Sequence, residues 1–479
     1  MATFYKTPGV YIEEIPKFPP SIAPVETAIP AFIGYTQIAE DQVAGDLNLK
    51  PKRISSMVEY EKYFGFPQPE ELIVVTINET QDGSGNTLAI KAVAAVPEPD
   101  RSLHNMYYAL QTFFANGGGP CYIVSVAPYL AFGTALDEGD LEDGLDILVK
   151  EDEPTLIVFP EAQNLAVIGD FNSLHTAALL QCETLKDRFV IMDLHGDTIS
   201  LSDPDAILLD AVDNFRTNGI GTNNLKYGAV YGPNIETTFD FIVDETEIDV
   251  AHFINGVLSS TVKMDTLQTT DNVKYEMARA AIRALPLKLP PSAAMAGIYA
   301  AVDNSRGVWK APANVSVNTV IQPTIQFSNI EQDVMNVDTV GGKSVNAIRS
   351  FPGKGTLVWG ARTLAGNDNE WRYVSVRRLF NFVEESVKKA TEQFVFEPND
   401  ANTWVRVQAM IENFLNTLWR QGALQGVKPE HAFYVAVGLG KTMTPLDILE
   451  GRMIVEIGMA AVRPAEFIIL RFSHKLAES

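Results

Sequence analysis

Cysteine is almost missing from this chain: Cys121 and Cys182 are the only two in 479 residues. That excludes a disulfide framework and a thiolate-rich zinc site, and both thiols are expected to be buried as small hydrophobes. No apolar run approaches the roughly 18 residues that span a bilayer, and the opening MATFYKTPGV has no apolar core of the signal-peptide kind. The expectation is a cytoplasmic product without a membrane anchor. The six histidines make no H-x-x-x-H pair on a helical pattern, so no metal site is expected.

Complete phosphate loops are lacking as well. Gly342-Lys343-Ser344 and Gly440-Lys441-Thr442 end like G-x-x-x-x-G-K-[ST], but Val337 and Val435 stand where the first glycine is required. The triple glycine after Asn116 follows a helical pattern and precedes a strand, which is the wrong order for a phosphate cradle and the right one for a helix terminator. Asp193 and His195 supply two members of a hydrolytic triad, yet no subtilisin-type G-T-S segment accompanies them. A cytoplasmic α/β hydrolase or NTPase is therefore the rival reading and not the first one.

Positive charge is scarce in one half only. Residues 1–285 hold 17 Lys and Arg against 42 Asp and Glu, whereas residues 286–479 hold 20 against 18. The acidic half repels nucleic acid and anionic membranes, while the neutral half can pack against like copies without self-repulsion. The length exceeds what one apolar core usually serves, which predicts several domains.

What is present is organised around residues 350–399. Thr356 to Trp359 and Trp371 to Val376 read as strands by their β-branched and aromatic content. From Leu379 the period changes to that of a helix, with Leu379, Val383, Val387, Ala390 and Phe394 on one face and Asn381, Glu385, Lys388, Lys389 and Glu392 on the other; Pro398 is expected to end it. Glu384 and Glu385 precede Lys388 and Lys389 by four residues, giving pairs of about 0.2–0.5 kcal/mol each.

In chain order, the first thirty residues carry six prolines around one strand-like segment, Gly9, Val10, Tyr11, Ile12, Glu13, Glu14 and Ile15. With no hairpin partner beside it, this segment is expected to be an arm that adds its strand to a neighbouring copy, the alternative being an edge strand on its own domain. Ile29 to Thr36 reads as a buried strand, Ser55 to Gly65 as a short helix, residues 81–87 as a hairpin tip, and 235–272 as an acidic insertion or exposed loop. Strands alternate with helices from about 130 to 285, as in a layered parallel α/β unit. Ser292 is positioned as an N-cap, and the small residues Ala293, Ala296, Gly297, Ala300 and Ala301 let that helix approach a neighbour closely. Met453, Val455, Ile457 and Met459 alternate onto one face of a strand, followed by a second closing strand at Glu466 to Phe472 that includes Phe467 and Ile469. These two strands are expected to receive the arm.

The block R-x-F-P-G-K-G-x-x-V-W-G-A-R-T-L at Arg349–Leu364, followed by W-R-Y-V-x-V-R-R-L at Trp371–Leu379, resembles the C-terminal core of contractile tail sheath proteins of phages, R-type bacteriocins and extracellular injection systems. Tyr5–Pro16, Ala31–Gly34, Phe64–Gly65, residues 290–314 and V-R-P-A-E-F near the C-terminus are similar to the same family. The resemblance implies a non-enzymatic subunit that polymerises helically around an inner tube and contracts, without a cofactor. Its expected partners are other sheath subunits, the inner tube protein, and baseplate and terminal cap proteins, with no nucleic acid and no membrane anchor. Particle assembly is expected in the cytoplasm. The helix carrying Asn381, Glu385, Lys388 and Lys389 is then expected to face the tube.

The expected fold is α/β (α+β overall) and multidomain. Residues 1–28 form the extended arm, 29–129 the first part of the core, 130–285 a layered, subtilisin-like but non-catalytic acidic outer region, and 286–479 the C-terminal core.

Overall fold

The computed structural model describes residues 21–96, 101–195 and 204–471. Two compact units emerge, and the division between them falls inside one helix. The larger holds Glu26–Phe382 and the chain from Arg463 onward; the smaller holds Val383–Val462 with the residues just before Glu26.

The larger unit is built on one sheet of nine strands. They are Pro30–Thr36 (β1), Lys52–Ile54 (β2), Cys121–Pro128 (β3), Leu156–Val158 (β4), Phe189–Asp193 (β5), Gly228–Gly232 (β6), Val315–Ser316 (β7), Val345–Phe351 (β8) and Gly355–Val358 (β9). The spatial order is β7-β9-β8-β6-β5-β4-β1-β3-β2, parallel from β8 to β3 and antiparallel at both rims. Buried on both faces, the parallel strands are short continuous apolar runs. Ala31, Ile33 and Tyr35 enter one core and Phe32 the other; Val190 and Met192 oppose Phe189 and Ile191 in the same way. Helices Glu138–Leu148 and Ile168–Leu185 cover the first face. Met106–Ala115 (α1) and Ser292–Arg306 (α2) cover the second.

This sheet takes strands from 29–129, 130–285 and 286–358 alike, so the boundaries expected at 129 and 285 do not separate bodies. The layered α/β arrangement expected for the middle region extends well beyond it, because the parallel ladder continues through β1 and β8. A small second sheet joins Val74–Gln81 and Thr87–Ala95 to Asp249–Ile254 and Val257–Lys263, with Asn272–Arg283 packed on one side. The stretch expected to be an insertion or exposed loop at 235–272 instead holds a hairpin, Asp249–Ile254 with Val257–Lys263, whose first strand pairs Val250 with Val75, and a helix, Met264–Thr270.

Several local expectations hold. α1 ends at Asn116, and Gly117 follows at φ 93°, a conformation glycine adopts without strain. Gly297 lies where α2 crosses α1, and a Cβ there would sit 2.4 Å from the Phe113 carbonyl oxygen. Cys121 and Cys182 are free and fully buried on opposite faces of the sheet, and burial pushes both thiols up from their ordinary pKa. Ser292, by contrast, is the first helical residue of α2, preceded by Pro291 as N-cap, and its hydroxyl caps nothing.

The long helix Val374–Thr391 (α3) starts five residues before the expected Leu379, so Trp371 to Val376 is not a strand; tertiary packing of this turn overrides its β-branched content. It ends at Thr391, ahead of Pro398, through a short 3-10 turn. In the smaller unit Ala401–Arg420 (α4) buries Val407, Met410, Ile411, Phe414, Leu415 and Leu418 along one stripe. Beside it Phe433–Val437 (β10) and Val455–Met459 (β11) form an antiparallel pair.

Candidate assembly surfaces

The W-R-Y-V-x-V-R-R-L block places two buried arginines in the first turns of α3. The Arg377 guanidinium lies 4.3 Å from the Trp371 ring and 5.0 Å from that of Tyr227, and its Nε donates to Asn381 Oδ1 at 2.7 Å. Arg378 pairs with Asp303 at the end of α2, its Nη2 2.6 Å from Oδ2, and the same nitrogen donates to the Thr27 carbonyl at 2.7 Å. Thr27 Oγ1 donates to Asp303 as well, so the chain is anchored just after its N-terminal stretch. The periodicity gave no sign of these partners, which are far away in sequence.

The set expected to face a tube is divided by the structure. Asn381 is buried, its amide donating to the Arg188 carbonyl at 2.9 Å, so it is not available to a partner. Glu385 is also buried, with Lys388 Nζ at 3.1 Å and Lys389 Nζ at 3.4 Å. Lys388 keeps 60% of its side chain exposed and Lys389 35%. The expected intrahelical pair Glu385–Lys389 is present, and Lys388 reaches the same carboxylate from three residues on.

Of the expected receiving strands, only the first is formed. Val455, Ile457 and Met459 lie in β11, with Met453 just ahead of it, and this face is half-buried while Ile454 and Glu456 point outward. Its ladder partner is β10, not Glu466–Phe472. Described residues 463–471 form no strand, and Phe467 and Ile469 stand in a run from Phe467 to Leu470 that is 68% to 80% exposed. A strand needs a ladder, and none is offered here by the described part of its own chain. The β10–β11 pair has both edges unpaired among the described residues, and two strands alone are a marginal sheet. Against β11 lies a groove of about 870 Å³ lined by Val387, Phe394, Ile411, Met453, Val455 and Ile457. The expected arm, Gly9 to Ile15, lies outside the described residues.

Comparison with known proteins decides between assembly and catalysis. The chain is 31% identical to the sheath of an extracellular contractile injection system, PVC, solved in the contracted state, over 99% of both chains with a TM-score of 0.64. The chain belongs to the tail sheath family. The contracted helical sheath of the anti-feeding prophage agrees, at 32% identity over 98% of this sheath chain and all of that one, with a TM-score of 0.62. Residues 175–364 match the phage tail sheath central domain, and 366–475 the phage tail sheath C-terminal domain. The tail sheath protein of Burkholderia phage BcepMu is 29% identical over 159 residues, 32% of each chain. The sheath chain spans about a third or less of the curated relatives it matches. These relatives are structural sheath proteins and not enzymes.

The side chains that imitated catalysis have structural tasks in this sheath fold. Lys343 Nζ donates to the Ile220 carbonyl at 2.8 Å and to that of Arg216, closing the helical turn Phe215–Gly219. His195 Nε2 donates to the Leu165 carbonyl at 2.8 Å. Asp193, fully buried at the end of β5, accepts the Ser292 N–H at 2.8 Å at the start of α2. Burial pushes its carboxyl up to about 7, against the hydrogen bonds from Ser292 that pull it down.

A carboxyl whose folded pKa lies above its unfolded value of about 3.9 contributes stability that is complete below that value and is lost as pH rises through the folded one. Asp193→Asn keeps an acceptor for Ser292 and removes the titration. It is expected to match the wild type near pH 4 and to exceed it at pH 8 by at most about 4 kcal/mol. Thermal unfolding of both proteins at the two pH values measures this, and parallel pH profiles would remove Asp193 as the cause.

Proposed function

We propose that this chain is the structural subunit of a contractile sheath, polymerising helically around an inner tube and contracting to drive that tube through a target envelope. Baseplate and terminal cap proteins bound the array, assembly takes place in the cytoplasm, and no cofactor takes part. End-to-end likeness to two contractile sheaths at 31% and 32% identity carries this reading. Negative-stain microscopy of the chain expressed with its tube protein tests it: helical sheaths are expected, and a small species of fixed size would return the hydrolase or NTPase reading.

The open edges of β10 and β11 support the linkage between copies. In this reading the strand Gly9–Ile15 of one subunit pairs with β11 of another, over the face of Met453, Val455, Ile457 and Met459, and its apolar side chains cover the adjoining groove. The exposed run Phe467–Leu470 is a further segment offered to a neighbour instead of a receiving strand.

Lys388 and Lys389 remain the tube-facing pair, since Asn381 and Glu385 are buried. Lys388→Glu leaves Lys389 to hold Glu385 and reverses one exposed charge, so the subunit is expected to fold normally and to assemble poorly around the tube. Extended particles of normal number and length from this variant would sink the assignment.

A further inference from the structure

Among the described residues 463–471, every hydrogen bond and ion pair is made by one side chain, Glu466. Its carboxylate accepts from Arg362 Nη2 at 2.7 Å and from Nε at 2.9 and 3.1 Å, from the Tyr373 hydroxyl at 3.1 Å, and from Asn336 Nδ2 at 2.8 Å. This is a bidentate arginine pair with two further donors, and Arg362 is only 6% exposed. The receiving groups are rigidly supported. The Arg362 N–H donates to Asn346 Oδ1 at 2.8 Å, Arg362 bridges to Tyr373, and Asn336 closes the helix Asn329–Asn336. Immediately before, the Val462 N–H is held by the Ala423 carbonyl at 3.2 Å. Pro464, two residues before Glu466, fixes one dihedral of the approach. Immediately after Glu466 comes the exposed run Phe467–Leu470.

We propose that Glu466 is a clip, closed in the soluble subunit, that fixes the point and direction from which the C-terminal tail leaves the body, and so acts as a positioning residue for the contact the tail makes with another copy. This rests on the reading of the chain as a sheath subunit. A tail with a fixed root loses less conformational freedom on docking than one that hangs loose from Val462. A fixed root also keeps four adjacent apolar side chains from sampling wrong surfaces. Burial alone would raise the Glu466 carboxyl, but the bonds from Arg362, Asn336 and Tyr373 outweigh it and hold the group below the usual carboxylate range. The clip therefore stays ionised and closed at neutral pH.

The test compares wild type, Glu466→Ala and Glu466→Gln. Chymotrypsin cutting after Phe467 must draw the residues on both sides of the bond into its site, Glu466 included, so cleavage requires an open clip. On the soluble subunit, with fragments identified by mass spectrometry, cleavage after Phe467 is expected to be about tenfold faster or more in Glu466→Ala and intermediate in Glu466→Gln, with rates at other sites unchanged. Thermal unfolding is expected to shift down in Glu466→Ala, because Arg362 loses its carboxylate, and the unchanged cleavage rates at other sites separate opening of the clip from global unfolding. By microscopy, Glu466→Ala is expected to give few and short sheaths where the wild type gives many. Equal cleavage rates in all three proteins, or normal sheaths from Glu466→Ala, would overturn the clip. If the wild type itself made no sheath, the family role would fail, while cleavage of the soluble subunit would still decide the clip.

Discussion

A subunit lacking residues 2–15 is expected to remain folded and soluble but to form no long sheath. Among the described residues the nine-stranded sheet begins at β1, after the deleted stretch, and the anchor formed by Thr27, Asp303 and Arg378 also follows it. On the arm proposal, what is lost is a strand-forming segment between prolines, and with it the partner for the edge of β11 left unpaired among the described residues. At about 3.3 Å per extended residue, twenty residues reach roughly 60 Å, enough to cross to another copy. Because main-chain pairing supplies such a link, Ile12→Pro, which removes one donor and bends the segment, should approach the deletion in effect. Far-UV circular dichroism checks folding and negative-stain microscopy counts sheaths. Full-length contractile sheaths from the deletion would refute the arm.

The largest loss of stability is expected from Gly297→Val. Even one added carbon meets the Phe113 carbonyl at 2.4 Å and the Asn116 side chain at 3.0 Å. The obstruction is backbone, so it cannot turn aside, and α1 and α2 would have to separate. That would open the core in which Phe113, Ala293, Ala296 and Tyr299 meet. Overpacking of this kind costs typically about 1–3 kcal/mol, and displacing backbone places valine at or above the upper end. A clear fall in the unfolding temperature of the larger unit is expected, with insoluble expression at 37 °C. A variant as stable as the wild type would show that the helices have room to part.

Much of this architecture was legible because its strands are short apolar runs bounded by turn residues. β1, β4, β5 and β6 announce themselves in this way, and so does α2 through its small residues. The small sheet did not, because Val250 pairs with Val75 from far along the chain, and its outer strand Val257–Lys263 is polar and exposed. Local sequence carries no record of such a pairing.

At the candidate surfaces, the lysines and the alternating face of β11 could be read directly. Asn381 was misjudged, and the burial of Arg377 and Arg378 was not foreseen, for one physical reason. Polar side chains on the polar stripe of an amphipathic helix look solvated unless their buried partners, Asp303 and the Arg188 carbonyl, are already known. The nearest local hint was Trp371 beside the arginines, since a guanidinium stacked on an indole is readily buried. Phe467 and Ile469 have strand character without a strand, because the partner that would complete the ladder is absent from the described part of their own chain.

The strand order of the large sheet bears on how the chain is made. β1 leaves the ribosome first, yet its two neighbours are β3 and β4, and the parallel ladder is complete only with β8 at Val345–Phe351. About three quarters of the polypeptide must therefore be synthesised before the sheet can close, and nearly every pairing in it joins distant segments. Such a topology folds slowly, because loop-closure entropy is lost before the contacts that compensate for it are made. During that interval bare parallel strands are exposed, which leaves the incompletely folded chain prone to aggregation.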